Sequence, residues 1–159
     1  MLNLNLNFPL FLTRAFLPQL REGSRYTEVV FVGSFAGDST LPFLCLYSSS
    51  KSFLKRAACI LRAEEYPFHF SDIHFSYLNV GEVRSSGLGG KSSLLRPSAD
   101  DFAKAVVRSL GCGRCVVVPW YPHDVLAGIL SLLPEPLFEW FARLKLAALM
   151  KDIVLEKDR

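Results

Sequence analysis

The chain has 159 residues, half of them hydrophobic, and a formal net charge of +3. That length suffices for one domain with a substantial core, and a mean hydropathy of +0.26 is high for a soluble protein of this size. Because the charge excess is small and no basic block occurs, the composition excludes a nucleic-acid surface built from clustered lysine and arginine. Four cysteines without regular spacing favour a reducing compartment.

The first half of the chain reads as helix, strand, loop and helix. Residues 7–21 have amphipathic helical spacing, with Pro9 in the first turn. Residues 29–32, Val-Val-Phe-Val, form a continuous apolar run that is typical of a buried strand. A glycine-containing loop at 33–37 follows, and residues 44–66 read as one long helix. This order predicts an α/β fold.

The second half continues the alternation around a long loop. Residues 70–78 predict a second strand, and the Gly/Ser-rich stretch 79–96 is long enough to be a flexible substrate loop. Ser98 with Asp101 three positions later resembles a capping box, and the helix it opens is predicted to end at Leu110. The remaining predicted elements are apolar: a strand at 115–119 and segments at 125–133 and 137–150.

One constellation of three side chains points to carbonyl chemistry. Tyr47 and Lys51 are four residues apart, so both lie on one face of the predicted helix. A free phenol titrates near pH ~10, and a neighbouring ammonium favours its deprotonated form. Ser34, thirteen residues before the tyrosine, leaves the carboxyl end of a predicted strand, where ligands bind in open α/β sheets. The set could reduce a ketone or oxidise an alcohol if another group supplies the hydride.

At these residues the sequence resembles the short-chain dehydrogenase/reductase family. Residues 33–37 resemble the family's serine motif, and residues 47–51 its tyrosine–lysine motif. Residues 5–18 are similar to the helix that carries a fourth catalytic residue, here Asn5, and 78–85 to the segment that follows the next strand. The C-terminal part resembles the long-chain 3-oxoacyl-CoA reductase and 17β-hydroxysteroid dehydrogenase branch.

The resemblance implies roles for individual residues. Tyr47 would be the general acid/base, and Lys51 would lower its pKa and bind the nicotinamide ribose. Ser34 would polarise the substrate carbonyl, and Asn5 would hold a water that links Lys51 to solvent. The positions implied to contact NADP or NAD are Tyr47, Lys51, Gly81, Val83 and Ser85. The substrate would be a lipid-like ketone or secondary alcohol, and the branch implies association with the endoplasmic reticulum membrane. The cysteines and the lack of a secretory signal at the start of the sequence favour a cytoplasmic location.

The resemblance also implies what the chain lacks. The family's glycine-rich cofactor motif precedes the serine motif by about a hundred residues, and no strand–turn–helix of that kind occurs here. We therefore expect residues 1–159 to form a single incomplete domain, the C-terminal half of a Rossmann-type doubly wound parallel sheet without the dinucleotide-binding half. Such a chain is expected to bind cofactor poorly and to be weakly active or inactive by itself.

Three further interpretations complete the prediction. The first is implied by the resemblance, because in this family the two long helices commonly form the dimer interface. A non-catalytic module could pair, as a homo- or heterodimer, with full-length dehydrogenases through the predicted helices 7–21 and 44–66. Segment 137–150 could be a core or dimer helix or an amphipathic surface helix, since it is too short and charged to span a bilayer. Cys112 and Cys115 have half-zinc or redox spacing without a second pair, so we predict no metal site.

Overall fold

A computed structural model of the chain describes residues 1–23, 26–65, 72–85 and 91–157. Three parallel strands form one sheet in the order β1 (Thr27–Val32), β2 (Ile73–Leu78) and β3 (Val116–Val117). Parallel neighbours need crossover connections, and helices supply them. The helices are α1 (Phe8–Glu22), α2 (Cys45–Glu65), α3 (Ala99–Ser109), α4 (Tyr121–Ser131) and α5 (Glu135–Lys157). The α/β prediction is therefore correct.

The core lies between β1, β2 and α2. Its buried members are apolar or aromatic, and β2 and α2 provide most of them: Phe31, Leu54, Ala58, Ile73, Phe75 and Tyr77. The register pairs Phe31 with Tyr77, so the buried ends of β1 and β2 lie side by side. The carboxyl ends of both strands therefore lie at the same end of the sheet, beside the start of α2.

Several predicted boundaries shift in the structure. A π-helical turn at Asn3–Asn7 precedes α1, so the helix predicted at 7–21 begins earlier and places Asn5 in a helical turn. The strand predicted at 115–119 has only two residues, because the chain turns away before Pro119, which has no N–H for a ladder. The predicted segments 125–133 and 137–150 begin earlier, as α4 and α5, each with a proline in the first turn.

The other predictions of elements hold more closely. Ser98 caps α3, since its side chain accepts a hydrogen bond from the Asp101 N–H at 3.2 Å, which confirms the predicted capping interaction. The strand predicted at 70–78 begins at Ile73, and residues 66–71 lie outside the described part of the chain. Residues 86–90 of the predicted substrate loop also lie outside it. In the part of the chain that is described, no helix is long and apolar enough to cross a bilayer.

Candidate active site

Tyr47 and Lys51 lie together in the first two turns of α2. The Lys51 ammonium is 5.8 Å from the centre of the Tyr47 ring, and both side chains are partly buried. Lys51 Nζ also donates a hydrogen bond to the backbone oxygen of Val32, at 3.0 Å. Because the Gly33 N–H donates to β2, the preceding carbonyl points to the opposite, outer edge of β1. The Lys51 ammonium therefore lies between the Tyr47 ring and the unpaired outer edge of β1.

Ser34 is held at the carboxyl end of β1 by a buried tyrosine of β2. The Tyr77 hydroxyl accepts from the Ser34 N–H at 3.0 Å and donates to the Ser34 carbonyl oxygen at 3.2 Å. The Tyr77 ring is fully buried directly beneath Gly33, where a Cβ atom would overlap the ring. The Ser34 Oγ accepts from the Ala36 N–H at 3.2 Å and so begins a short 3₁₀ helix. The backbone of Ser34 is consequently fixed.

The environment of Tyr77 keeps its hydroxyl protonated. Burial raises its pKa above the usual value, although the hydrogen bond from the Ser34 N–H acts in the opposite direction. Asp38 and Tyr47 raise this pKa further by electrostatic repulsion of a tyrosinate. The Tyr77 hydroxyl in turn holds the Ser34 backbone. Tyr47 lies in the first turn of α2, and the next turn of that helix packs against Gly37, so Tyr47 and Ser34 lie at the same end of the sheet.

Gly37 and Asp38 fasten the loop after Ser34 to α2 and to the residue that follows β2. Gly37 lies against the α2 backbone, because a Cβ there would be 2.9 Å from the Lys51 carbonyl carbon. Asp38 accepts hydrogen bonds at 2.6 Å from both Lys55 Nζ and Asn79 Nδ2. Since Asn79 directly follows β2 and is buried, the loop is fastened on two sides. The sequence motif at 33–37 therefore folds back over the turn that carries Lys51.

Asn5 approaches the same turn of α2 from the π-helical turn. Its Nδ2 donates to Ser50 Oγ at 3.2 Å, and Ser50 Oγ donates to the Tyr47 carbonyl oxygen at 2.7 Å. Asn5 and Lys51 also line one cleft of about 170 Å³ along the outer edge of β1. Single π-helical turns inside helices occur frequently at functional sites. The structure thus brings Asn5 next to Lys51, with Ser50 between Asn5 and the tyrosine backbone.

Three of the five positions predicted to contact cofactor, Gly81, Val83 and Ser85, lie on the segment that leaves β2. The Val80 carbonyl oxygen accepts from the Phe35 N–H at 3.0 Å, which joins this segment to the loop after Ser34. Gly81 is partly buried behind the ring of His123, Val83 is half-buried and Ser85 is exposed. The segment therefore lies on the Ser34 side of the site.

The spacing of Cys112 and Cys115 suggests that these two cysteines lie together, but the structure places Cys115 beside Cys59. Cys115 Sγ lies 2.8 Å from Cys59 Sγ on α2, whereas Cys112 is exposed. Burial, followed by the neighbouring Cys59 thiol, raises the pKa of Cys115 to about 12. Within the described ranges no three His, Cys, Asp or Glu side chains are grouped so that they could hold a metal ion.

Sequence reasoning missed three residues that shape this site. Tyr77 appeared only as a member of a predicted strand. His123 lay between the predicted strand 115–119 and the apolar segment 125–133, and Asp38 between the predicted loop 33–37 and the helix 44–66. Each acts through contacts with residues distant in sequence, such as Tyr77 with Ser34 and Asp38 with Asn79. A hydroxyl-bearing aromatic residue near the end of an apolar strand was the one available signal, since a buried tyrosine needs a hydrogen-bond partner.

Comparison with known proteins identifies the class. The family model for short chain dehydrogenase matches residues 1–92, which is more than half of the chain. The chain therefore belongs to the short chain dehydrogenase family, as the motifs predicted.

Curated relatives include proteins of the predicted branch. A very-long-chain 3-oxoacyl-CoA reductase of Podospora anserina is 33% identical over a stretch that covers 65% of this chain and 31% of that protein. Hydroxysteroid dehydrogenase-like protein 1 of Gallus gallus is 25% identical, with coverage of 100% of this chain and 48% of the relative. The chain thus spans about a third to a half of the length of these relatives.

Solved structures show the same fold. A 7beta-hydroxysteroid dehydrogenase superimposes with a TM-score of 0.68 at 18% identity, over 89% of this chain and 56% of the other. A short-chain dehydrogenase from Streptomyces avermitilis gives 0.59 at 25% identity, over 80% and 54%. Together with the parallel sheet, these similarities show that the chain is part of a Rossmann-type α/β fold.

Proposed function

We propose that the chain is an oxidoreductase domain that interconverts a ketone and a secondary alcohol of a lipid-like substrate, with NADP or NAD as the cofactor. The observation that carries the proposal is the Lys51 ammonium beside the Tyr47 ring, at the strand end where Tyr77 fixes Ser34. Two hydroxyl groups and one cation at the carboxyl end of a parallel strand suit the binding and protonation of a carbonyl oxygen. Family membership supports the same chemistry.

In this proposal each residue acts at a defined atom. The Tyr47 hydroxyl donates its proton to the substrate oxygen during reduction and takes one back during oxidation. The Ser34 hydroxyl donates a hydrogen bond to the same oxygen, and Lys51 stabilises the negative charge that develops on the tyrosine oxygen. Asn5, which lines the cleft with Lys51, holds a water through which the lysine exchanges protons with solvent.

The described residues fit one end of a nicotinamide cofactor. Lys51 and Asn5 line one cleft, and Gly81, Val83 and Ser85 lie on the segment that leaves β2 on the Ser34 side of the site. The cofactor, when bound, supplies or accepts the hydride. The cleft of about 170 Å³ holds only a small part of a dinucleotide, so we propose that residues 1–159 are a single incomplete domain with weak activity by itself.

The lipid-like substrate is proposed from the relatives and from the surface near the loop. The relatives' names refer to very-long-chain 3-oxoacyl-CoA and hydroxysteroid compounds. Lys91, Leu94 and Leu95 are all exposed, so the loop carries exposed apolar groups three and four positions after a cation. Arg96 forms an ion pair with Glu82 at 3.1 Å, which leaves Lys91 the better candidate to attract an anionic group. Action on such a substrate in the cytoplasm or at the endoplasmic reticulum membrane belongs to this proposal.

The test measures NADPH binding by fluorescence and reduction of a long-chain 3-oxoacyl thioester by the purified chain. Tyr47→Phe should abolish the turnover that is present and weaken NADPH binding by less than about tenfold, because it removes the proton donor and at most one hydrogen bond to the cofactor. Tyr121→Phe is the matched control, since Tyr121 is exposed and lies in α4. Equal turnover in the Tyr47→Phe and Tyr121→Phe proteins would contradict the proposal.

A second candidate function is a non-catalytic module that pairs with related dehydrogenases. It is favoured by the apolar side chains that α1 and α2 leave exposed: Phe8, Phe11, Leu12, Phe16, Leu46, Phe53 and Ile60. Apolar side chains left exposed on two helices make these helices candidates for an interface. Absence of NADPH binding combined with stable association with a full-length dehydrogenase, lost in a Phe11→Ser/Phe53→Ser variant, would support this function over the enzymatic one.

A further inference from the structure

His123 is a buried residue with unusual contacts, and the proposed mechanism does not use it. It lies in the first turn of α4, with 3% of its surface exposed. Its Nε2 is 3.1 Å from the Leu95 carbonyl oxygen, and because a carbonyl oxygen can only accept, Nε2 must carry a proton. Its Nδ1 is buried and has no hydrogen-bond partner among the described residues. The ring is therefore fixed in orientation by one hydrogen bond.

The Nδ1 side of the ring lies directly against Gly81. A Cβ atom built on this glycine would be 2.6 Å from Nδ1 and 2.7 Å from Cε1 of His123. These distances are well inside van der Waals contact, so only a residue without a side chain fits at this position. Gly81 is also one of the positions predicted to contact the cofactor. The imidazole ring therefore limits how closely the Gly81 backbone can approach α4.

The ring also contacts the loop that follows Ser34. Phe35 meets His123 edge-on, with ring centroids 6.0 Å apart and an interplanar angle of 87°. The Phe35 N–H donates to the Val80 carbonyl oxygen, directly before Gly81. One side chain therefore touches the loop after Ser34, the segment that leaves β2, and the segment that precedes α3.

Trp120, the residue directly before α4, makes a second contact with the segment that precedes α3. Trp120 Nε1 donates to the Leu94 carbonyl oxygen at 2.8 Å, so Trp120 and His123 bind two consecutive carbonyl groups. This segment belongs to the predicted substrate loop. The start of α4, which lies before the apolar segment predicted at 125–133, thus contacts two segments beside the candidate site.

We propose that His123 is a positioning residue of the candidate active site, which holds the backbone at Gly81 and at Leu95 in place relative to Ser34. It touches neither substrate nor cofactor in this role and acts through the two backbone segments. Its effect on catalysis rests on the proposed function. Its effect on the two segments does not, so the two claims can fail separately.

The first test compares three substitutions of His123. Gln can present an N–H near the Nε2 position, Asn is shorter and does not reach Leu95, and Phe keeps the ring without a donor. Hydrogen exchange of peptides that cover residues 79–85 and 91–97 should stay near wild-type rates in His123→Gln. It should rise at least about tenfold in His123→Asn and His123→Phe, as loss of a stabilising hydrogen bond predicts.

Kinetics on the same proteins separates positioning from mere stability. We expect KM to rise at least about fivefold in His123→Phe and His123→Asn, kcat to fall less, and His123→Gln to restore both. Slow exchange of both segments in His123→Phe would overturn the inference whatever the activity. A wild-type chain without turnover or NADPH binding would instead contradict the proposed function and leave the exchange result to decide this one.

The second test is a double-mutant cycle between His123 and Gly81. Gly81→Ala should lower the Tm by roughly 3–9 °C in the wild-type background, because the new methyl group overlaps the imidazole. In a His123→Ala background the same substitution should cost less than half as much, since the space is then free. Gly128→Ala is the control, with nothing within 4 Å of its added Cβ. Equal losses in both backgrounds would show that His123 does not determine the position of Gly81.

Discussion

The two longer strands have similar composition and very different surroundings. β2 lies between two neighbours, and Phe75 and Tyr77 are completely buried. β1 pairs with β2 on one side, while its outer edge faces a cleft and leaves Val32 60% exposed. The difference shows that an apolar run predicts the capacity to be buried, whereas actual burial depends on what lies on each side of the strand. The candidate site lies on the boundary between these two environments.

The largest contrast should come from truncating one side chain in each strand. Phe75→Ala should lower the free energy of unfolding by about 3–5 kcal/mol, because it opens a cavity in the core. Val32→Ala should cost less than about 1 kcal/mol, since most of that side chain already contacts solvent. Urea unfolding of both variants measures the difference. Comparable losses would mean that the outer edge of β1 is covered in solution.

Substitution of two glycines by alanine should change stability in opposite directions. At Gly33 the new methyl group overlaps the Tyr77 ring, and we expect a loss of about 1–3 kcal/mol in the free energy of unfolding. At Gly128, in α4 with open space around it, the same change should add about 0.5–1 kcal/mol through helix propensity. Thermal and urea unfolding check both signs. A neutral Gly33→Ala protein would contradict the close packing of Tyr77 beneath the loop.

Tyr77→Phe tests the hydrogen bonds that fix Ser34. The ring stays, but both bonds to the Ser34 backbone are lost and its N–H is left unsatisfied, so we expect a loss of about 1–2 kcal/mol. Carbonyl reduction should fall further than this stability loss explains, because Ser34 becomes mobile. Tyr121→Phe, on an exposed side chain, should change neither quantity. Unchanged turnover in Tyr77→Phe would remove Tyr77 from the support of the site.

The smallest effect concerns alkaline pH. The pKa of Cys115 is raised from 9.0 to about 12 in the folded chain, so the unfolded chain loses this proton first as the pH rises. The free energy of unfolding should therefore fall between pH values of about 9 and 12, and part of that fall should be absent in Cys115→Ala. Urea unfolding at pH of about 8 and about 10.5 gives the difference. Cys112→Ala, which removes an exposed thiol, should show the wild-type slope.

Much of the fold could be predicted because its signals are local. The apolar run at 29–32, the helix that carries Tyr47 and Lys51 and the cap at Ser98 each depend on periodicity or on a side chain a few residues away. The boundaries that shifted depend on less local effects. The π-helical turn at Asn3–Asn7 and the two-residue β3 have no distinct periodic pattern.

The candidate site divides in the same way. Ser34, Tyr47, Lys51 and Asn5 could be named from motifs, and the structure brings all four to one end of β1, although their catalytic roles remain predictions. The supporting residues could not be found from the sequence, because Tyr77 and His123 act across long stretches of chain and through packing geometry. A spacing pattern records which groups recur together along the chain. It does not record which buried ring lies beneath a given glycine.

The hydrogen bond from Lys51 to the Val32 carbonyl has a consequence for self-association. An edge strand with free backbone groups and apolar side chains invites another chain to pair with it, and lysine side chains commonly protect such edges. Here the ammonium covers an outward-facing acceptor beside the most exposed residue of β1. Replacing Lys51 with methionine would therefore remove a charge from the proposed chemistry and, at the same time, uncover a template for aggregation.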